Sequence, residues 1–174
     1  MKKFQTTYLR ILAIAPSSRG FGFALFEGQG TLVDWGVKSV QGDKNAQCLA
    51  KVKDMIAHYQ PGVVVLENTS VKNSRRSPRI RNLTRRIIAL AASCNVGVRV
   101  FSRKQVRKDF FADGGEGTKY ALAEKIAKRF PEELGFRLPP KRRAWESEDS
   151  RMDIFDAVAI ALAFNAQRKQ FVEV

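Results

Sequence analysis

Histidine occurs once in the 174 residues, at His58, and cysteine twice, at Cys48 and Cys94. One histidine and two distant thiols leave no serine–histidine–aspartate triad and no zinc-type ligand spacing. Two cysteines do not make a disulfide framework either. They read as buried thiols of a reducing compartment, by default the cytoplasm. No apolar run approaches the ~20 residues that span a bilayer. The opening MKKFQTTYLRILAIAP has the lysines and apolar stretch of a secretion signal, but Gln5, Thr6, Thr7 and Arg10 interrupt it. A strand accounts for it better, and no membrane association is expected. Acidic residues are also scarce: 17 Asp and Glu stand against 31 Lys and Arg, a net charge of +14. A compact domain with that imbalance repels itself and calls for a polyanionic partner, nucleic acid first.

What is present reads as one domain of mixed elements. Tyr8–Ala15, Gly20–Phe26 and Thr31–Val40 are short, rich in β-branched and aromatic residues, and separated by Gly-containing turns, as in an antiparallel meander. Asp43 caps a predicted helix to about Tyr59, with an apolar stripe at Ala46, Leu49, Ala50, Val52, Lys53 and Ile56. The run Val63–Leu66 suits a strand buried on both faces and ends in Glu67. A helix from Pro78 to about Ser93 follows, with Ile80, Leu83, Ile87, Leu90 and Ala91 as its core stripe, then a strand over Val96–Phe101. Helices are predicted over Arg103–Phe110, Thr118–Phe130 and Met152–Gln167, with a loop from Leu138 to Arg151. There are no repeats. The order βββαβαβ plus helices predicts an α/β fold, a mixed sheet flanked by helices. Phe21 and Phe23 alternate on a strand and belong to the core; His58 belongs at the surface.

Three carboxylates stand out. Glu67 follows a buried strand, at the end where open α/β sheets bind ligands. Asp153 and Asp156 lie three apart at the start of the last helix and share a face. Helix-dipole complementarity explains the pair alone, and a strand-end charge explains Glu67 alone. Meeting at one sheet edge, the three would repel one another without a cation, and a Mg²⁺-holding cluster suits phosphoryl transfer. The hairpin ILAIAPSSRGFGFALF presents Ala15 at the end of its first strand, a position with no chemistry of its own.

The order of ILAIAPSSRGFGFALF, VVVLEN, FSRKQVRKDFFADGGEGTKYALAEKIA and MDIFDAVAIALA, from about Tyr8 to Phe164, resembles the RuvC family of Holliday-junction resolvases. The YqgF-type group shares the hairpin but fits the other segments less well. The resemblance implies a ribonuclease H-like fold with three antiparallel strands and then two parallel ones. It implies a structure-selective endodeoxyribonuclease that hydrolyses phosphodiesters with two Mg²⁺ or Mn²⁺ ions held by four acids. By match, Glu67, Asp153 and Asp156 are the second to fourth acids. The first belongs in a pattern like I-D-P-x-S, where this chain has Ile14-Ala15-Pro16-Ser17-Ser18. A methyl group ligates no metal, so ion binding is weakened and cleavage impaired. Three explanations stand: an Ala introduced for an Asp, a natural protein that no longer cleaves, or a site completed by Asp34, Glu27 or a substrate phosphate. The alternative function is a silent protein on the same fold that recognises branched DNA. The resemblance also implies a homodimer acting on a four-way junction.

The basic residues are clustered. Lys72, Arg75, Arg76, Arg79, Arg81, Arg85 and Arg86 crowd the approach to the second helix and the helix itself. So single-signed a run is self-repelling unless phosphates face it. Gly114-Gly115-Glu116-Gly117 ahead of Lys119 is either a helix-entry loop or a phosphate cradle, and it lacks Walker spacing. Lys141, Arg142 and Arg143, followed by Trp145, form either a flexible basic loop or a charged and stacking contact with nucleic acid.

Overall fold

The computed structural model describes residues 8–72, 74–112 and 117–172. Strands β1 (Arg10–Pro16), β2 (Gly20–Glu27) and β3 (Thr31–Ser39) form the meander, and helix α1 (Lys44–Tyr59) follows. Then come β4 (Val63–Glu67), α2 (Pro78–Ser93), β5 (Gly97–Phe101) and α3 (Arg103–Phe110). Helix α4 (Lys119–Arg129) leads to the short α5 (Pro131–Leu134), a 3₁₀ turn at Gly135–Arg137 and α6 (Met152–Val172). The strands form a five-stranded sheet in the order β3-β2-β1-β4-β5. The first three are antiparallel, while β1–β4 and β4–β5 are parallel. This is the mixed sheet expected from the sequence.

Helix starts are set by side-chain caps. Asp43 accepts from the Ala46 amide, Ser77 from Ile80, and Thr118 from Ala121. Ser102 and Gln105 close a reciprocal capping box at α3. Each cap satisfies a backbone donor that the first turn leaves unpaired.

The two-residue period of the strands sorts their side chains onto two layers. Ile11, Ala13 and Ala15 of β1, with Val63 and Val65 of β4, face α6, α4 and α3. Leu12, Ile14, Val64 and Leu66 face α1 and α2, together with Phe21 and Phe23. Helix α6 is buried along most of its length against β1 and β2, because its alternating small residues Ala157, Ala159, Ala161 and Ala163 allow close approach. Gly22 completes that fit. A Cβ there would lie 2.2 Å from the Asp153 carbonyl oxygen, so only glycine lets the start of α6 rest on β2.

Some expectations need correction. The buried stripe of α1 is Cys48, Val52, Met55 and Ile56, while Ala46, Ala50 and Lys53 are exposed. The sheet turns the helix by a fraction of a turn relative to the apolar count. Cys48 is buried, but Cys94 is exposed, because it caps α2 outside that helix's buried stripe. Helix α6 runs past Gln167 to Val172, and the short α5 and 3₁₀ turn were not foreseen. Gly114, Gly115 and Glu116 of the glycine-rich loop lie outside the described residues. Among the described residues no helix is long and apolar enough to cross a membrane.

Candidate active site and nucleic-acid interface

Ala15 is the last residue but one of β1, pairs with Gly22 across the hairpin, and is 3% exposed. The parallel register sets Ala13 beside Val65. Two residues further on, the same register brings Ala15 beside Glu67, and both face the α6 layer. Together with Asp156 they line a cavity of about 70 Å³. Asp153 enters from the first turn of α6 and Asp156 from the second, and with Glu148 they line the adjoining hollow. Asp156 therefore stands between the two hollows, with Glu67 in one and Asp153 and Glu148 in the other, at the ends of the central strands β1 and β4.

Their partners set the chemistry. Glu67 accepts from Arg76 Nε at 2.6 Å on one oxygen and from Arg103 Nε at 2.7 Å on the other. Lys119 Nζ lies 2.9 Å from Asp156 Oδ2 and also contacts Glu148 Oε1. Burial alone would lower the Lys119 pKa, but the charges of Asp156 and Glu148 outweigh it and hold the ammonium above its usual range. Asp153 makes no ion pair among the described residues. Burial pushes its carboxyl up to about 6; the nearby Ser17 hydroxyl opposes the rise and the Asp156 charge adds to it. Asp156 is raised too, mainly by burial, with Lys119 opposing.

Glu148 is the member that sequence reasoning missed. Its carboxylate and those of Asp153 and Asp156 each offer an oxygen within 4.8 Å of the others. The acids suggested to complete the site, Asp34 and Glu27, do not reach it. Glu27 pairs with Arg10 at the opposite end of the hairpin, and Asp34 accepts from the Tyr59 hydroxyl and the Trp35 amide. The strand register separates both from the turn beside Ala15.

The donor set decides what metal chemistry fits. Oxygens bound to one Mg²⁺ at about 2.1 Å lie no more than about 4.2 Å apart. Only one pair of three octahedral ligands can span that distance, and the other pairs must close to about 3 Å. Glu148, Asp153 and Asp156, now within 4.8 Å of one another, could therefore share one ion once their oxygens draw together and Lys119 yields. The half of the site at β1 and β4 does not fit a second ion. It offers a methyl group and a carboxylate whose two oxygens both bind arginine. Among the described residues there are donors for one divalent ion and not the set for two.

The basic residues fall into two groups. Lys72, Arg75, Arg81, Arg85 and Arg86 are exposed on α2 and its approach, as are Lys141, Arg142 and Arg143 before α6. Arg76, Arg79 and Lys119 are half-buried and internally engaged. Arg79 donates to the Ser17 carbonyl at 3.0 Å and to Asn45 Oδ1 at 3.2 Å, fastening α2 to the β1–β2 turn. Arg103 and Arg107 also line the cavity, and the sequence reading did not single them out. Both lie on the α3 stretch, whose repeated basic residues were the available signal.

No protein-family model matches the sequence, and no curated protein sequence matches it. Solved structures do match. RuvC of Thermus thermophilus superposes with a TM-score of 0.66 at 18% identity, covering 93% of this chain and 97% of that one. The same protein in complex with a Holliday junction substrate gives 0.63 at 15% identity, covering 93% and 96%. The yeast mitochondrial Holliday junction resolvase gives 0.65 at 14%, covering 94% of this chain and 81% of that one. The sheet order, the placement of α6 and these superpositions establish that this chain has the ribonuclease H-like fold of RuvC.

Proposed function

We propose that this chain binds branched DNA as a RuvC-like, junction-directed protein of one domain, and that Ala15 impairs its hydrolysis of phosphodiesters. The observation that carries this reading is the convergence of Glu67, Glu148, Asp153 and Asp156 with Arg76, Arg103, Arg107 and Lys119 at the ends of β1 and β4. Such an edge receives a phosphate among basic side chains and directs it toward carboxylates. The fold adds support, since the Thermus protein that shares it is known in complex with a Holliday junction substrate.

Roles follow from position. Exposed Lys72, Arg75, Arg81, Arg85 and Arg86 bind flanking phosphates, as do Lys141, Arg142 and Arg143; these contacts set orientation rather than sequence. Arg76 and Arg103 hold Glu67 and can exchange it for a phosphate oxygen, because guanidinium forks accept either anion. Glu148, Asp153 and Asp156 would hold a single Mg²⁺ or Mn²⁺. Such an ion polarises a phosphoryl oxygen and lowers the pKa of bound water. The protein works in the cytoplasm as a homodimer, a second copy supplying the second site that a four-way junction requires.

The test compares this chain with Ala15→Asp on a labelled four-way junction and a matched duplex, with Mg²⁺ or Mn²⁺. We expect both proteins to prefer the junction, cutting to be feeble or absent with Ala15, and cutting to rise with Ala15→Asp and vanish on adding Glu67→Gln. Failure to bind any nucleic acid at low salt overturns the reading. A second reading, residual cleavage through one ion, is favoured by the Glu148 cluster. In that case the unaltered chain cuts with Mn²⁺ and Glu148→Gln stops it.

A further inference from the structure

Trp145 is 77% exposed, a costly position for the largest apolar side chain. The loop that carries it is not loose. The Glu146 amide donates to the Arg143 carbonyl at 3.0 Å, and the Arg143 amide donates to Glu146 Oε2 at 2.8 Å. Arg142 Nη1 donates to the Glu146 carbonyl at 3.0 Å. These bonds close a turn with Trp145 at its outer edge. The Arg143 guanidinium lies over the indole, 5.6 Å from its centroid, leaving most of the ring to solvent.

Folding gains little from this indole, so its value lies in a contact made with a partner. Glu148, which belongs to the carboxylate cluster, lies three positions further along the chain. Three residue steps span at most about 10 Å between Cα atoms, so the indole stays close to the carboxylates. We infer that Trp145 stacks on a nucleobase left unpaired near the branch point, close along the strand to the phosphate facing the carboxylates. A base inside a duplex is already stacked and offers no face, whereas an unpaired base of any identity does. Lys141, Arg142 and Arg143 supply charge for the phosphates on either side. The inference rests on the branched-DNA reading and adds to it a means of discriminating branch point from duplex.

The chain has two tryptophans, so Trp35→Phe isolates the emission of Trp145. Titrating that variant with a four-way junction quenches its fluorescence, and a matched duplex does not. Trp145→Ala weakens junction binding about tenfold, by fluorescence anisotropy of labelled DNA, and leaves duplex binding and the salt dependence unchanged. Trp145→Phe keeps most of the affinity. Equal junction affinity for Trp145→Ala and the unaltered chain overturns the inference while the branched-DNA reading survives. Equal losses on junction and duplex overturn it as well. If the unaltered chain binds no DNA, the broader reading falls and takes this one with it.

Discussion

Asp153 lies where burial and the charge of Asp156 both resist ionisation, and its carboxyl is pushed up to about 6, above the ordinary carboxylate range. The folded state therefore binds this proton more tightly than the unfolded chain does. That contribution to stability is complete below about pH 4 and is lost as pH rises through about 6, an effect on the order of 3 kcal/mol. In chelator, the thermal midpoint should rise as pH falls from 7.5 to 5. Asp153→Asn should flatten that rise and be the more stable protein at pH 7.5; a midpoint independent of pH would refute the assignment. The identity of this residue as a site member was legible, as were Glu67 and Asp156, because strand ends and i, i+3 spacing are local signals. Glu148 was not. It sits in an aperiodic loop beside Glu146 and Asp149, and nothing local says which of the three turns inward. Arg76 stood out within the basic run, but its pairing with Glu67 did not, nor did Arg103, since one comes from before α2 and the other from the start of α3.

At the level of elements, the contact between α6 and β2 positions the carboxylates. Gly22 is the point of closest approach, and a methyl group there must displace the first turn of α6. Gly22→Ala should cost about 1–3 kcal/mol of stability, the usual range for overpacking a well-fitted core. Urea unfolding checks it: the midpoint should fall with little change in slope. An unchanged midpoint would mean that α6 is held elsewhere. Element order, strand type and the Asp43 cap could be read from periodicity and capping residues. The exposed face of α1 could not, because Ala46 and Ala50 are compatible with either environment and only the sheet beneath selects Cys48 and Met55. The short α5 carries too few residues to show a period.

For the whole molecule, the dominant quantity is the net charge of +14. That figure already counts Glu67, Glu148 and Asp156, which pair with Arg76, Arg103 and Lys119, and the exposed arginines of α2 remain for phosphate. Junction affinity should fall linearly with the logarithm of salt concentration. Replacing Arg85 and Arg86 by Gln should reduce that slope by about 2 while leaving preference for the junction intact. A slope unchanged by the pair would place the DNA on another face. The fold also carries a timetable. Ala15 and Glu67 lie on strands made early, while Glu148, Asp153 and Asp156 arrive with the loop before α6 and with α6 itself, after every other described element. Domains assemble from the N-terminus during synthesis, and long-range contacts form slowly. An incomplete chain thus carries Glu67 and its basic run before the carboxylates that could hold an ion, and it can adhere to nucleic acid before it has that cluster.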